Sequence, residues 1–503
     1  MERLVVWKKD NEYCSQLLKE GKELPADLSQ YGRNDFYIEA MMGLGLWDAM
    51  TDLYPNLLKK ENGKDWKIMN GVVAIKELMR MGRISECGKV IGDGRLMTAA
   101  GFNMEEYVEK QDKEKDIVTT DTIRNHLKRI DKESSMYGFY RQIKYIREQK
   151  WIRGKTYVAD GHYITIKHGR DYEELGKVGE AYGYKVVVLL NIEEGRERVA
   201  GFALGPLQIS ERELLRDIFK RLEESVAPIR DIIDLIILDR GYWGAELLRE
   251  LKEDWGIDFV TLARDEELSV SKDIKGLTRD KELKWHEVKE SRSRGRELKV
   301  ELVGFEEIEI TDKDDKVCLK VNVVAAKEYE YETDGKKLKR DEQGQVIEKE
   351  YYYVTSLKGV KSHPYKIRKY YLRRWIIESR FRDMTQQLFF DITAGHKINA
   401  IIARIAFMLM MFNAEKIVVM KYPGEWEKAS QRLRKRKAPG LADGTAVIVY
   451  SPDNKFGVYS TREYKVLIQQ GDEYKFKNKM AEAIRRKKDT TLEEFFRDYG
   501  LKE

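Results

Sequence analysis

Three carboxylates in this sequence stand where phosphodiester chemistry on a metal ion would need them. Asp160 closes the alternating run TYVADGHYITI and is followed by Gly161. Asp239 closes the apolar run of DLIILDRG and is followed by Arg240 and Gly241. A carboxylate at the carboxyl end of a central strand, beside glycine, points into the crevice where α/β folds place ligands. Two of them on neighbouring strands can share a hard cation. Magnesium takes oxygen ligands and is held by few carboxylates plus substrate phosphate, and two ions about 3.5–4 Å apart can activate an attacking oxygen and stabilise a leaving one. The third carboxylate is Glu378, on a helix opened by Pro364. Taken singly, each residue also has a plain structural reading. An acid at a strand end serves as a turn or cap residue, and Glu378 can pair with Arg374 and Arg382, four residues away on either side. Asp234 competes for the second position but precedes the apolar run, so it belongs to the opposite end of that strand.

The segment YKIRKYYLRRWIIESRFRD around Glu378 is the strongest signal. Lys366, Arg368, Lys369, Arg373, Arg374, Arg380 and Arg382 outnumber Glu378 and Asp383, and Tyr365, Tyr370, Tyr371, Trp375 and Phe381 interleave. One helix from Pro364 to near Phe390 would place Tyr371, Arg374 and Glu378 on a single face. Arginine and lysine hold phosphates, and aromatic rings stack on displaced bases.

These residues need a frame. Residues 1–150 read as helical. In VTTDTIRNHLKRID, Thr and Asp stand at the cap, Ile123, Leu127 and Ile130 form one face, and Arg124 and Lys128 lie elsewhere. It is either a recognition helix or a surface helix of an ordinary bundle. Residues 151–264 alternate strands with helices, among them one from Glu211 to Glu224. Residues 265–355 are charged and strand-like and form a β-rich insertion. Residues 356–421 supply the helix bearing Glu378 and a second, apolar one. Residues 422–503 form a basic α+β tail with RLRKRK (Arg432 to Lys437) and a hairpin, TAVIVYS–PDNK–FGVYST. RLRKRK is a phosphate contact or a basic surface loop.

The 503 residues carry 93 basic and 87 acidic side chains, a net charge of +6, so any basic footprint is local. Cys14, Cys87 and Cys318 are far apart and lack any CxxC, which argues against a disulfide framework and a zinc ribbon. His162, His168 and His396 lack metal-ligand spacing. The longest apolar run, IAFMLMMF, is too short to span a bilayer. A reduced, cytoplasmic setting is expected, with no membrane partner.

The segment around Glu378 resembles the insertion-sequence-4 family of bacterial DDE transposases, whose motif runs Tyr, two residues, Arg, three residues, Glu, six residues, Lys. Tyr371, Arg374 and Glu378 match; Thr385 stands in the lysine position, where Arg382 or Lys397 could substitute. LDRGYWG and VADGHYI are similar to the segments around the family's second and first Asp, YYYVTSL also matches, and the resemblance covers about residues 150 to 415. It implies an α/β RNase H-like catalytic core with a β-rich insertion, preceded by a helical N-terminal DNA-binding region. It also implies a triad of Asp160, Asp239 and Glu378 on two Mg2+ ions, with Mn2+ as a substitute. The implied activity is cut-and-paste transposition: binding of terminal inverted repeats, cleavage, and joining of a 3′-hydroxyl to target DNA by a synaptic homodimer. Tyr371, Arg374, Arg382, Arg240, Arg124 and Lys128 are the candidate DNA contacts. Trp285, in the insertion, would stack on a flipped base or simply pack there. An RNase H-like endonuclease without strand transfer and a non-catalytic DNA-binding descendant are the alternatives. A small-molecule site would leave the basic, aromatic helix unexplained.

Overall fold

The computed structural model describes residues 26–27, 34–52, 66–91, 118–167, 171–193, 197–263, 269–280, 282–292, 296–311, 317–331, 338–343, 345–422, 446–450 and 456–460. RLRKRK, Cys14 and His168 lie outside them. Two compact units divide the chain: residues 1–148, 168–174 and 383–503 form one, and residues 149–167 and 175–382 the other.

The first unit is mainly helical. In chain order it contains α1 (Asn34–Gly43), α2 (Leu46–Thr51), α3 (Trp66–Leu78), α4 (Cys87–Ile91), α5 (Thr120–Arg129) and α6 (Lys132–Glu148). Thr119 caps α5: its Oγ1 accepts from the Thr122 amide at 3.1 Å, satisfying one of the unpaired donors of the first turn. Ile123, Leu127 and Ile130 are buried, as the apolar spacing predicts. His126 is buried with them, its Nε2 2.8 Å from Asn70 Oδ1, and burial lowers its pKa to about 4. The helix Ile398–Lys421 packs against α3, α5 and α6. It is buried along nearly its whole length, as a helix apolar all round must be. The tail hairpin pairs residues 446–450 with 456–460, and residues 26–27 add a third strand.

The second unit is built on one ten-stranded sheet. Its strands are β1 (Thr156–Thr165), β2 (Gly176–Val178), β3 (Ala181–Asn191), β4 (Arg198–Pro206), β5 (Leu235–Leu238), β6 (Asp258–Leu262), β7 (His286–Arg292), β8 (Arg296–Thr311), β9 (Val317–Glu330) and β10 (Glu348–Thr355). The order is β2-β3-β1-β5-β6-β10-β9-β8-β7, and β4 also pairs with β3. β1, β5 and β6 are parallel, and the four residues of β5 are all buried, as a central strand covered on both faces requires. Helix α7 (Glu211–Ser225) lies over β3 and β4 and buries Leu214, Leu215, Ile218, Phe219 and Leu222. Each such side chain contributes about 1.5–3 kcal/mol.

The insertion strands join the central sheet, because β10 pairs antiparallel with β6 and extends it. They are also preceded by a helix, Ser269–Leu277. After α7 come α8 (Ile229–Ile232), α9 (Ala245–Arg249) and α10 (Ser269–Leu277); the single helix expected from Pro364 to near Phe390 is instead two, α11 (Pro364–Leu372) and α12 (Trp375–Leu388). At the break the amides of Arg373, Arg374, Ile376 and Ile377 bond three residues back, to Tyr370, Tyr371, Arg373 and Arg374, a tightened 3₁₀-like turn.

Candidate active site

Asp239 leaves β5 at its carboxyl end, where the chain turns into a short 3₁₀ segment, Arg240–Tyr242. Asp160 does not end its strand. β1 runs on to Thr165 and Asp160 pairs with Val188 of β3. The parallel pairing of β1 with β5 stops at Ala159 and Leu238, so both aspartates lie one residue past the end of the parallel ladder, side by side. Asp234 lies before β5, exposed and 3.2 Å from Lys155, away from this end.

Glu378 sits in the first turn of α12, where the helix dipole favours an acid. Arg374, in the break, gathers the three carboxylates. Its Nη2 is 2.5 Å from Glu378 Oε1, its Nη1 3.6 Å from Asp160 Oδ2 and its Nε 3.6 Å from Asp239 Oδ1. Tyr371, in the last turn of α11, donates its hydroxyl to Asp239 Oδ1 at 3.3 Å. Tyr371, Arg374 and Glu378 therefore converge although no single helix carries them. Burial, with Asp239 and Glu211 beside it, pushes Asp160 up to about 7 against the opposing pull of Arg374 and the Gly161 amide.

Glu211 is a fourth carboxylate here that the sequence reading passed over. It opens α7, whose cap is Ser210, and residue type alone marks it as an ordinary first-turn acid. A Cβ placed on Gly161 would lie 2.5 Å from Glu211 Oε1, and one on Gly241 3.4 Å from Oε2. Gly161 thus leaves room for it, and Gly241 lies within contact distance. Tyr163 donates to Oε1 at 3.5 Å. Burial and Asp239 raise the Glu211 pKa, opposed by Lys185 and the Tyr163 hydrogen bond.

The remaining candidates are spread more widely. Arg240 is exposed. Arg382 is exposed and stands over the ring of Trp375 at 5.9 Å rather than on Glu378, and Trp375 is itself 58% exposed. Trp285 is half-buried, with Lys327 Nζ 5.4 Å above its ring. In the helical unit, Arg124 pairs with Asp121 and Lys128 is exposed. Thr385 Oγ1 is buried without a hydrogen-bond partner, and Lys397 pairs with Glu173. His162 stacks on Phe381 at 5.3 Å, and the His396 ring lies tilted against that of Tyr172 at 4.4 Å.

Residues 154–414, just over half of the chain, match the family model described as the transposase DDE domain. The chain belongs to the DDE transposase family. It is thus a transposase, and DNA is its partner. The mixed sheet with flanking helices fits an RNase H-like core. None of the curated proteins matches the chain. No helix among the described residues is long and apolar enough to cross a membrane.

Transposases of this family generally use divalent metal ions. Among the described residues, no three acidic, histidine or cysteine side chains are gathered tightly enough to hold a cation as they stand. The donor set nevertheless fits a hard one: it is all oxygen, and a cationic group, the Arg374 guanidinium, already stands among the three carboxylates. Oxygen ligands are what Mg2+ and Mn2+ take.

Proposed function

We propose that this transposase is of the insertion-sequence-4, cut-and-paste type, with Asp160, Asp239 and Glu378 as its catalytic carboxylates. The observation that supports this most directly is the Arg374 guanidinium set among all three. Asp160 and Asp239 would hold Mg2+ from adjacent strands, with Glu378 completing the set from α12. Bound there, the ions supply Lewis-acid stabilisation of the phosphate and a nucleophile active at neutral pH. Tyr371 orients Asp239 through its hydroxyl. Arg374 neutralises the carboxylates and is the nearest cation to a scissile phosphate arriving at them. Arg240, Arg382 and the stacked Trp375 extend a basic, aromatic rim for the DNA backbone and an unstacked base. Arg124 and Lys128 of the helical unit would bind the inverted repeats, Trp285 is the candidate partner of a flipped base, and two protomers would synapse the ends.

The test uses the inverted repeats found in the DNA flanking the gene. Asp160→Ala, Asp239→Ala and Glu378→Gln should each abolish cleavage of an end-bearing duplex while gel-shift binding of that duplex survives. Cleavage by any of them at the wild-type rate would remove that residue from the triad. A pre-cut 3′-hydroxyl end incubated with supercoiled plasmid should be joined to it; cutting without joining would reassign the chain as an endonuclease.

A further inference from the structure

We propose that Glu211 is a fourth carboxylate of the metal centre, joining Asp160 and Asp239 to hold the second divalent ion, on a flank distinct from the one Glu378 occupies. This rests on the metal-centre reading above and extends it. Glu378 meets the aspartate pair through Arg374. Glu211 meets it at Gly161 and Gly241: a Cβ on Gly161 would clash with Oε1 at 2.5 Å, and one on Gly241 would touch Oε2 at 3.4 Å, so the carboxylate lies against the backbone beside both aspartates. A helix dipole accounts for an acid in the first turn of α7. It does not account for that acid lying against the backbone just past both metal-binding candidates, where only the missing Cβ of Gly161 admits it.

A second observation comes from Tyr242. Its side chain is fully buried and its hydroxyl has no hydrogen-bond partner; burial first, then the neighbouring charges of Glu211, Asp160 and Asp239, hold its pKa well above the usual value. A buried hydroxyl left without a partner is destabilising. Tyr242 stands three residues beyond Asp239, in the 240–242 segment that packs against α7, where a water on a bound ion would give its hydroxyl a partner. Two ions sharing the aspartate pair, one backed by Glu378 and one by Glu211, would use all four of these carboxylates. Each ion would then have three protein carboxylates, leaving positions for water and phosphate.

The experiment is a Mn2+ titration of the full-length protein at pH 8, with free Mn2+ counted by electron paramagnetic resonance. Wild type should bind two ions. Glu211→Gln should bind one with wild-type affinity and the other at least tenfold more weakly, while Asp239→Asn should weaken both. Wild-type binding by Glu211→Gln, with Asp239→Asn impaired, would overturn the role of Glu211 and leave the triad standing. Unchanged binding in both variants would overturn the metal-centre reading itself. A single ion on the wild type would overturn the second site. Circular dichroism and gel-shift of end DNA report whether the variants fold. If Glu211→Gln does not, Glu211→Asp carries the test, since its shorter reach should weaken the second ion at least threefold, and wild-type affinity would overturn the proposal.

Discussion

Replacing Asp160 by asparagine should make the metal-free protein more stable, by an amount that grows with pH. Asp160 has its usual carboxylate pKa of 3.8 in the unfolded chain and about 7 in the fold, raised first by burial. Between these values the folded state keeps a proton that the unfolded state has released. Stability therefore falls as pH rises through the window, by about 1.4 kcal/mol per unit, and levels off above it. Three units give about 4 kcal/mol at pH 8 as an upper figure. Asparagine forgoes that cost but also loses the pairing with Arg374, so a gain of roughly 2–4 kcal/mol is expected at pH 8, shrinking to near zero at pH 3.5. Equilibrium urea unfolding of both proteins in EDTA, from pH 3.5 to 8, measures the difference, in which titrations not coupled to Asp160 cancel. Asp160→Asn equal to or less stable than wild type at pH 8, or a difference that does not vary with pH, would refute the reasoning. Adding Mn2+ should then reverse the order, since a ligand that binds only the native state stabilises it by mass action.

Two further perturbations probe what holds the site. Arg368→Met should destabilise by about 3–5 kcal/mol, because it strands two buried carboxylates; adding Glu290→Gln and Glu328→Gln should recover more than half of the loss in the same urea assay. Gly161→Ala should cost about 1–3 kcal/mol as its methyl displaces Glu211, and the Gly161→Ala, Glu211→Ala double variant should be more stable than Gly161→Ala alone. Additive losses there would mean that the two residues do not touch.

What could be read from the sequence was whatever local pattern decides. LIIL is a run of four apolar residues closed by Asp239, and a buried central strand follows from it. The apolar face of Ile123, Leu127 and Ile130 predicted its own burial, and the insertion strands showed in their alternation. What could not be read depends on partners far away in the chain. The pairing of β10 with β6 that makes one sheet of core and insertion is fixed by backbone bonds between residues about 95 apart, such as Thr355 with Val260. The helix break at Arg373 and Arg374 is invisible because both residues and Trp375 are acceptable helix formers. Glu211 behind Ser210 looked like an ordinary first-turn acid. Only the adjacency of β1 and β5, with glycine following each aspartate, brings it to the site.

The insertion and the site are linked through one side of α11. Arg368 is fully buried and binds Glu290 of β7 at 2.7 Å, Glu328 of β9 at 2.5 Å and the Tyr353 hydroxyl of β10 at 2.7 Å. Three strands of the insertion thereby fix the helix at one residue. The Tyr353 ring packs on that of Tyr371 at 5.3 Å, and Tyr371 reaches Asp239. Immediately beyond, Arg373 donates to the Ile192 carbonyl at 2.5 Å, and Arg374 holds the carboxylates. A straight helix would carry Arg374 about one turn on from Tyr371 and nearly two from Arg368, with its direction set by that helix alone. The break instead lets each arginine settle on its own partner, and α12 restarts with Glu378 in its first turn. The strand-rich segment is therefore a brace for the acidic centre, and loosening it at Arg368 should disturb Tyr371 and Asp239 before it disturbs β5.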